Sequence, residues 1–304
     1  MTNPVKQIGI IGLGLIGSSI AYGVRRWRPE MRVVGYDRDP SVRQQAAALG
    51  FCHSVVDTPA ALGQGTDLLM LAVPVGSMGA ALAEVAAHLP AGAIVSDVGS
   101  VKQAVIDALM PLLPAGVHLV PGHPVAGTEQ SGPEAGFAEL FQNRWCILTP
   151  VPGCPDWANE AVGDLWQSLG SQVTTMDAPH HDLVLAITSH IPHLIAFTIV
   201  GTATGLAEST QREVIQFSAG GFRDFTRIAA GDPIMWRDIF LNNRDAVLEM
   251  LGRLTEDLTA MQRAIRFGDG QQMAEVFTRA RAIRRTLVQA NQHIPPQKPN
   301  AASA

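Results

Sequence analysis

Short, continuous apolar runs rich in β-branched residues alternate with segments of helical periodicity through the first half of the chain. Residues 6–11, 32–36, 67–73 and 93–97 read as strands covered on both faces, because a strand with one wet face would alternate apolar and polar positions. Between them, 16–27, 41–49, 75–89 and 101–113 carry helical spacing; 117–120 and 145–149 read as further strands and 155–169 as a further helix. Such alternation predicts an α/β architecture, a parallel sheet wound with right-handed crossovers. After about Asp177 the strand-like runs stop and helical patterns take over. The chain therefore divides into a sheet-containing domain at 1–176, a helical domain at 177–293 and a tail at 294–304 whose prolines and small residues predict disorder. In the helical part, Val247, Leu251, Leu254, Leu258, Met261 and Ile265 recur at alternating spacings of four and three. That stripe suits either a core-facing helix or a coiled-coil-like seam between subunits.

Composition narrows the class. With 47% hydrophobic and 16% charged residues over 304 positions, the chain has the means to bury a large core and is not a disordered one. A net charge of −5 without a basic stripe argues against a nucleic-acid partner. Cys52, Cys146 and Cys154 lack zinc-ligand spacing and read as reduced thiols of a cytoplasmic protein. The apolar stretch 8–24 could pass for a membrane span, but it holds five glycines and two serines, a poor composition for a lipid-facing helix. No membrane partner is expected.

Those glycines carry chemistry instead. Gly12, Gly14 and Gly17 form G-x-G-x-x-G at the passage from a strand into a helix. The first permits the tight turn, the second lets backbone approach a pyrophosphate, and the third lets helix and strand pack closely. The phosphates would rest on the helix N-terminus at Leu15 and Ile16, where unpaired N–H groups favour an anion. Asp37 stands twenty residues after Gly17, where an acid accepts the adenosine ribose hydroxyls and repels a 2′-phosphate, favouring NAD. Arg38 beside it could meet such a phosphate. Val73, which ends the 67–73 strand, and Pro74 after it complete the expected cofactor contacts. The sheet domain is thus Rossmann-like, which names no substrate.

Four polar segments follow strand ends or turns: SDVGSVK at 96–102, GHPVAGTE at 122–129, TSHIPH at 188–193 and GGFRDFTR at 220–227. Each admits a plain reading. Ser100 with Gln103 fits a helix capping box as well as a functional hydroxyl. His123 reads as a loop histidine after a strand, either a surface group or a base. His190 and His193 are separated by Pro192 and lack a neighbouring carboxylate, so no metal site is expected. Arg227 is either a surface helix arginine or an anion clamp.

Taken in order behind the dinucleotide fingerprint, HPVAGTEQSG at 123–132 and GGFRDFTRIAAGDPIMW at 220–236 resemble the prephenate/arogenate dehydrogenases of tyrosine biosynthesis, over roughly residues 6–290. The resemblance implies a Rossmann-like doubly wound sheet followed by an all-α dimerisation domain, with the 247–265 stripe at the subunit interface. It implies an oxidative decarboxylation: the C4–H of prephenate leaves as hydride to NAD, the C4 hydroxyl becomes a carbonyl, and the ring carboxylate leaves as carbon dioxide. By matched position, His123 would accept the hydroxyl proton and Ser100 would orient the hydroxyl or the histidine. Arg227 would hold the ring carboxylate. His190, His193 and Ser189 would line the side-chain and nicotinamide region, while Gly220 and Gly221 let the chain pass close to the ligand. Glu129 would close the mouth and Trp236 would pack at the pocket. Gly231 stands where many relatives carry serine. Arogenate is the near alternative substrate, and L-tyrosine could inhibit by occupying the same pocket. A β-hydroxyacid dehydrogenase and a non-catalytic NAD-binding protein are more distant alternatives. At this length neither a fused chorismate mutase nor a regulatory domain is expected.

Overall fold

The computed structural model describes residues 5–205, 213, 216–218 and 220–289. The tail expected at 294–304 lies outside them. Six parallel strands form the main sheet: β1 (Gln7–Ile11), β2 (Arg32–Tyr36), β3 (Ser54–Val55), β4 (Leu68–Leu71), β5 (Ile94–Asp97) and β6 (His118–Val120), in the spatial order β3-β2-β1-β4-β5-β6. The order reverses between β1 and β4, so the chain leaves these two neighbours in opposite directions and a crevice opens at their C-terminal ends.

Both faces of the sheet are covered, which is why its strands read as unbroken apolar runs. Along β4, Leu68 and Met70 enter one core with Ile20 and Val24 of α1 (Leu15–Trp27). Leu69 and Leu71 enter the other, with Leu82 and Val85 of α4 (Met78–Val85). Helices α2 (Pro40–Leu49), α3 (Pro59–Gly63) and α5 (Gln103–Leu109) complete the crossovers. The helical stretch expected at 75–89 is α4 between two 3₁₀ turns, and that expected at 101–113 begins only at Gln103.

The strand expected at 145–149 belongs to a second sheet, whose other two strands have no counterpart in the sequence pattern. Strands β7 (Gly122–Pro124), β8 (Trp145–Leu148) and β9 (Gln172–Thr175) pair as β7-β8-β9, antiparallel then parallel, with α6 (Asp156–Ser168) joining β8 to β9. His123 is therefore not a loop residue: it is buried on β7, opposite Ile147.

Beyond β9 the described residues hold only helices and turns. Helix α7 (Ala178–Leu185) passes through a π-helical turn at Ala186–His190 into α8 (Ile191–Thr204), followed by α9 (Gly220–Thr226), a 3₁₀ turn at Arg227–Ala230, α10 (Pro233–Asn242), α11 (Arg244–Phe267) and α12 (Gly270–Gln289). The stretch Ala178–Ala203 is long and apolar enough to cross a bilayer by length and composition. It also carries Asp182, His181 and His190 as buried groups. The α11 stripe divides in two. Val247, Leu251 and Leu254 pack within the chain against Ala186 and Ile191, whereas Leu258 and Ile265 are 60% and 63% exposed.

Candidate active site

The crevice between β1 and β4 is built by the glycine turn. Gly12 adopts φ +94°, and a Cβ there would run into the Ala72 carbonyl and, at 2.8 Å, Val73 Cγ1. A Cβ on Gly17 would strike the Gly12 carbonyl, so this glycine lets α1 sit against the turn. Gly14 differs: no atom lies within 4 Å of where its Cβ would stand, and it caps α1 without a side-chain bond. Open space over an uncapped helix N-terminus fits a pyrophosphate. Asp37 closes the arrangement, accepting the Leu13 N–H at 2.9 Å and the Asp39 N–H at 2.9 Å, while Arg38 is exposed. Leu15 and Ile16 open α1, and Val73 and Pro74 follow β4 as the sequence placed them.

His123 lies on the short sheet, where β7 abuts the end of β5 through a charged knot. Asp97 and Lys102 are both fully buried and form an ion pair. Asp97 also accepts the Gly99 N–H at 2.7 Å and the Gly122 N–H at 3.2 Å, and Lys102 Nζ donates to the Gly122 carbonyl at 2.6 Å. The residue preceding His123 is thus held at both its N–H and its C=O. Burial lowers the Lys102 pKa, against the opposing pull of Asp97.

A file of polar side chains runs from His123 into the helical half. His123 Nδ1 lies 2.8 Å from His181 Nε2, and His181 Nδ1 lies 2.8 Å from Asp182 Oδ1. The Asp182 carboxylate accepts the backbone N–H groups of Lys102 at 2.7 Å and Gln103 at 2.9 Å. It thereby caps α5, one of the two roles the sequence allows Ser100. A carboxylate eighty residues away in sequence displaces the local capping box, leaving Ser100 half-buried beside the site. Asn243 Nδ2 donates to the Asp182 carbonyl at 2.8 Å and meets His190 Nδ1 at 3.0 Å. His190 is fully enclosed, near the Ser100 backbone, and its pKa is lowered to about 4 by burial. His123 is held well below 6.5, first by burial and then by the facing His181, Lys102 and His190. Burial also lowers His181, against the Asp182 bond.

At the rim, His193 stacks on Trp236 with centroids 3.6 Å apart and bonds the Ser189 carbonyl through Nδ1 at 2.8 Å. Its pKa is lowered by burial, and Arg227 adds to this against the Ser189 bond. Trp236 is buried between the halves, with Val101 and Ile239. Arg227 and Glu129, 98 residues apart, meet at 3.3 Å and are both about half exposed. Gly220 and Gly221 open α9. His123, Ser100, His190, Ser189, His193, Trp236, Arg227 and Glu129 thus belong to one connected region. His181, Asp182 and Asn243 join it without any sequence signal, because each meets partners 58–80 residues away along the chain; Asp97 and Lys102 join it from the polar segment 96–102, whose ion pair the sequence does not reveal.

Comparisons with known proteins identify the family. The family model described as the prephenate dehydrogenase nucleotide-binding domain matches residues 20–175, and that described as the prephenate dehydrogenase dimerization domain matches 177–279. The chain is 42% identical to a cyclohexadienyl dehydrogenase of Zymomonas mobilis, over 93% of this chain and 96% of that protein. It is 33% identical to a prephenate dehydrogenase of Bacillus subtilis, over 93% of this chain and 76% of the relative. A crystal structure of prephenate dehydrogenase from Aquifex aeolicus, in complex with hydroxyphenyl propionate and NAD+, superposes with a TM-score of 0.87 at 30% identity, covering 94% of this chain and 100% of the other.

Proposed function

The chain belongs to the prephenate dehydrogenase family, and from that premise we propose that it converts prephenate and NAD to 4-hydroxyphenylpyruvate, carbon dioxide and NADH, as a homodimer in the cytoplasm. The observation that carries the reading is His123: a buried imidazole, neutral at physiological pH, beside a dinucleotide crevice and within one region with an anion-binding arginine. Gly12, Gly14, Gly17 and Asp37 would hold the dinucleotide, and NAD when bound supplies the acceptor for the C4 hydride. The chain's own groups do the rest. His123 takes the C4 hydroxyl proton, and Ser100 orients that hydroxyl. Arg227 turns from Glu129 to the ring carboxylate, a planar guanidinium facing a two-oxygen anion. His193 and Ser189 border the substrate side chain, with Trp236 behind them, and Gly220 and Gly221 leave room for it. Decarboxylation restores aromaticity, which makes the reaction one-way.

A second reading, dual use of prephenate and arogenate, is favoured by the 42% identity to a cyclohexadienyl dehydrogenase. L-tyrosine, which has the ring of 4-hydroxyphenylpyruvate and an amino group where that product has a keto group, would compete for the same pocket. A turnover assay crossing prephenate and arogenate with NAD and NADP tests both readings. Prephenate with NAD is expected to be turned over; arogenate turnover at comparable kcat/KM would establish the dual reading, and no turnover of either would overturn both.

A further inference from the structure

The file from His123 to Asp182 fixes where the protons lie. A carboxylate accepts and does not donate, and Asp182 is engaged by two backbone N–H groups as well as by the imidazole. His181 therefore donates from Nδ1. With Nδ1 protonated, a neutral His181 has a bare Nε2 that can only accept, so the 2.8 Å contact to His123 requires the proton on His123 Nδ1. That leaves His123 Nε2 as an acceptor with no proton of its own. We propose that His181, oriented by Asp182, is a positioning residue that selects the Nδ1–H tautomer of His123 and so presents Nε2 to the substrate hydroxyl.

The inference rests on the proposed reaction for the identity of that hydroxyl, but not for the tautomer. Burial of His181 works in the same direction, because an imidazolium there would donate from both nitrogens and turn His123 around. During turnover the hydroxyl proton bonds to Nε2 while its oxygen keeps the bonding pair. His123 becomes an imidazolium whose Nδ1–H bond to His181 is now charge-assisted, with the Asp182 carboxylate one ring further on. The other tautomer would present an N–H to the hydroxyl and remove no proton.

Ring-nitrogen NMR of the full-length, ¹⁵N-histidine-labelled protein at neutral pH, without substrate, reads the tautomer directly, with His123→Asn identifying the resonances. His123 is expected protonated at Nδ1 and bare at Nε2. In His181→Leu, kcat should fall about tenfold or more, short of the roughly 10²–10⁴-fold that loss of a base itself costs. KM for both substrates should stay within about twofold, as for an interaction made only in the transition state. The Leu variant should also lose the single Nδ1–H pattern, and His181→Gln, whose amide oxygen reaches the same place and still accepts, should recover most of kcat. A wild-type His123 protonated on Nε2 overturns the proposal. So does a His181→Leu enzyme with wild-type kcat, or one whose kcat falls with the tautomer unchanged. If the Leu variant does not fold, the wild-type spectrum alone decides. An enzyme inactive on prephenate would sink the reaction but leave the tautomer standing.

Discussion

At the scale of single residues, the environment of His123 sets its pH dependence. A free imidazole titrates near 6.5, and this one is held well below that value by burial and by the facing His181, Lys102 and His190. The protonated ring cannot accept a proton, so activity falls as pH drops through the folded-state value. The acid limb of kcat/KM is therefore expected well below 6.5, not at it. His123→Asn should flatten that limb and lower kcat by about 10²–10⁴-fold; a variant keeping wild-type kcat would remove the base from the mechanism. Arg227→Ala should act on binding, raising the prephenate KM by roughly fivefold, about 1 kcal/mol, as expected for an ion pair at a half-exposed guanidinium. An unchanged KM in the folded variant would assign the carboxylate to another residue. The glycine turn and Asp37 were legible because a fixed spacing along the chain brings them together at the end of β1. His181 and Asp182 were not, since their partners lie 58 and 80 residues away. Of the two roles open to Ser100, a distant carboxylate takes the cap and leaves the functional one to be tested.

At the scale of elements, the long apolar strands could be read because burial on both faces leaves an unbroken signature. The three residues of β7 could not, because glycine, histidine and proline have little strand propensity and only pairing with β8 makes them one. That strand is held by the Asp97–Lys102 knot, so Lys102→Met should destabilise the fold by roughly 3–5 kcal/mol, leaving the Asp97 charge buried and unpaired. Urea unfolding measures this, and a loss below about 1 kcal/mol, the worth of an ordinary surface pair, would mean the knot contributes little. The α11 stripe shows how one periodicity can serve two purposes. Its first half anchors the helical core, while Leu258 and Ile265 lie bare in a single chain.

At the scale of the molecule, those bare positions call for a second copy. The wild type is expected to sediment as a two-chain species at micromolar concentration, and Leu258→Asp with Ile265→Asp to dissociate it. A single-chain wild type would exclude the α11 interface. Buried neutral histidines also tie stability to pH. Their folded-state pKa values lie below the unfolded one, so the unfolded chain takes up protons first and stability is lost as pH falls below 6.5. For His190, held to about 4, the loss between pH 7 and pH 5 is about 2 kcal/mol. His123, His181 and His193 add to it in the same direction. Equal urea midpoints at the two pH values would contradict this. Asp182 has a wider consequence. It comes from the helical half, yet it begins a helix of the sheet half and orients the imidazole that orients the base. A molecule whose halves have not docked still has His123 on its strand, but nothing tells that ring which nitrogen to leave bare. The chemistry is thus interlocked with assembly: a misdocked copy idles, holding its dinucleotide without spending it.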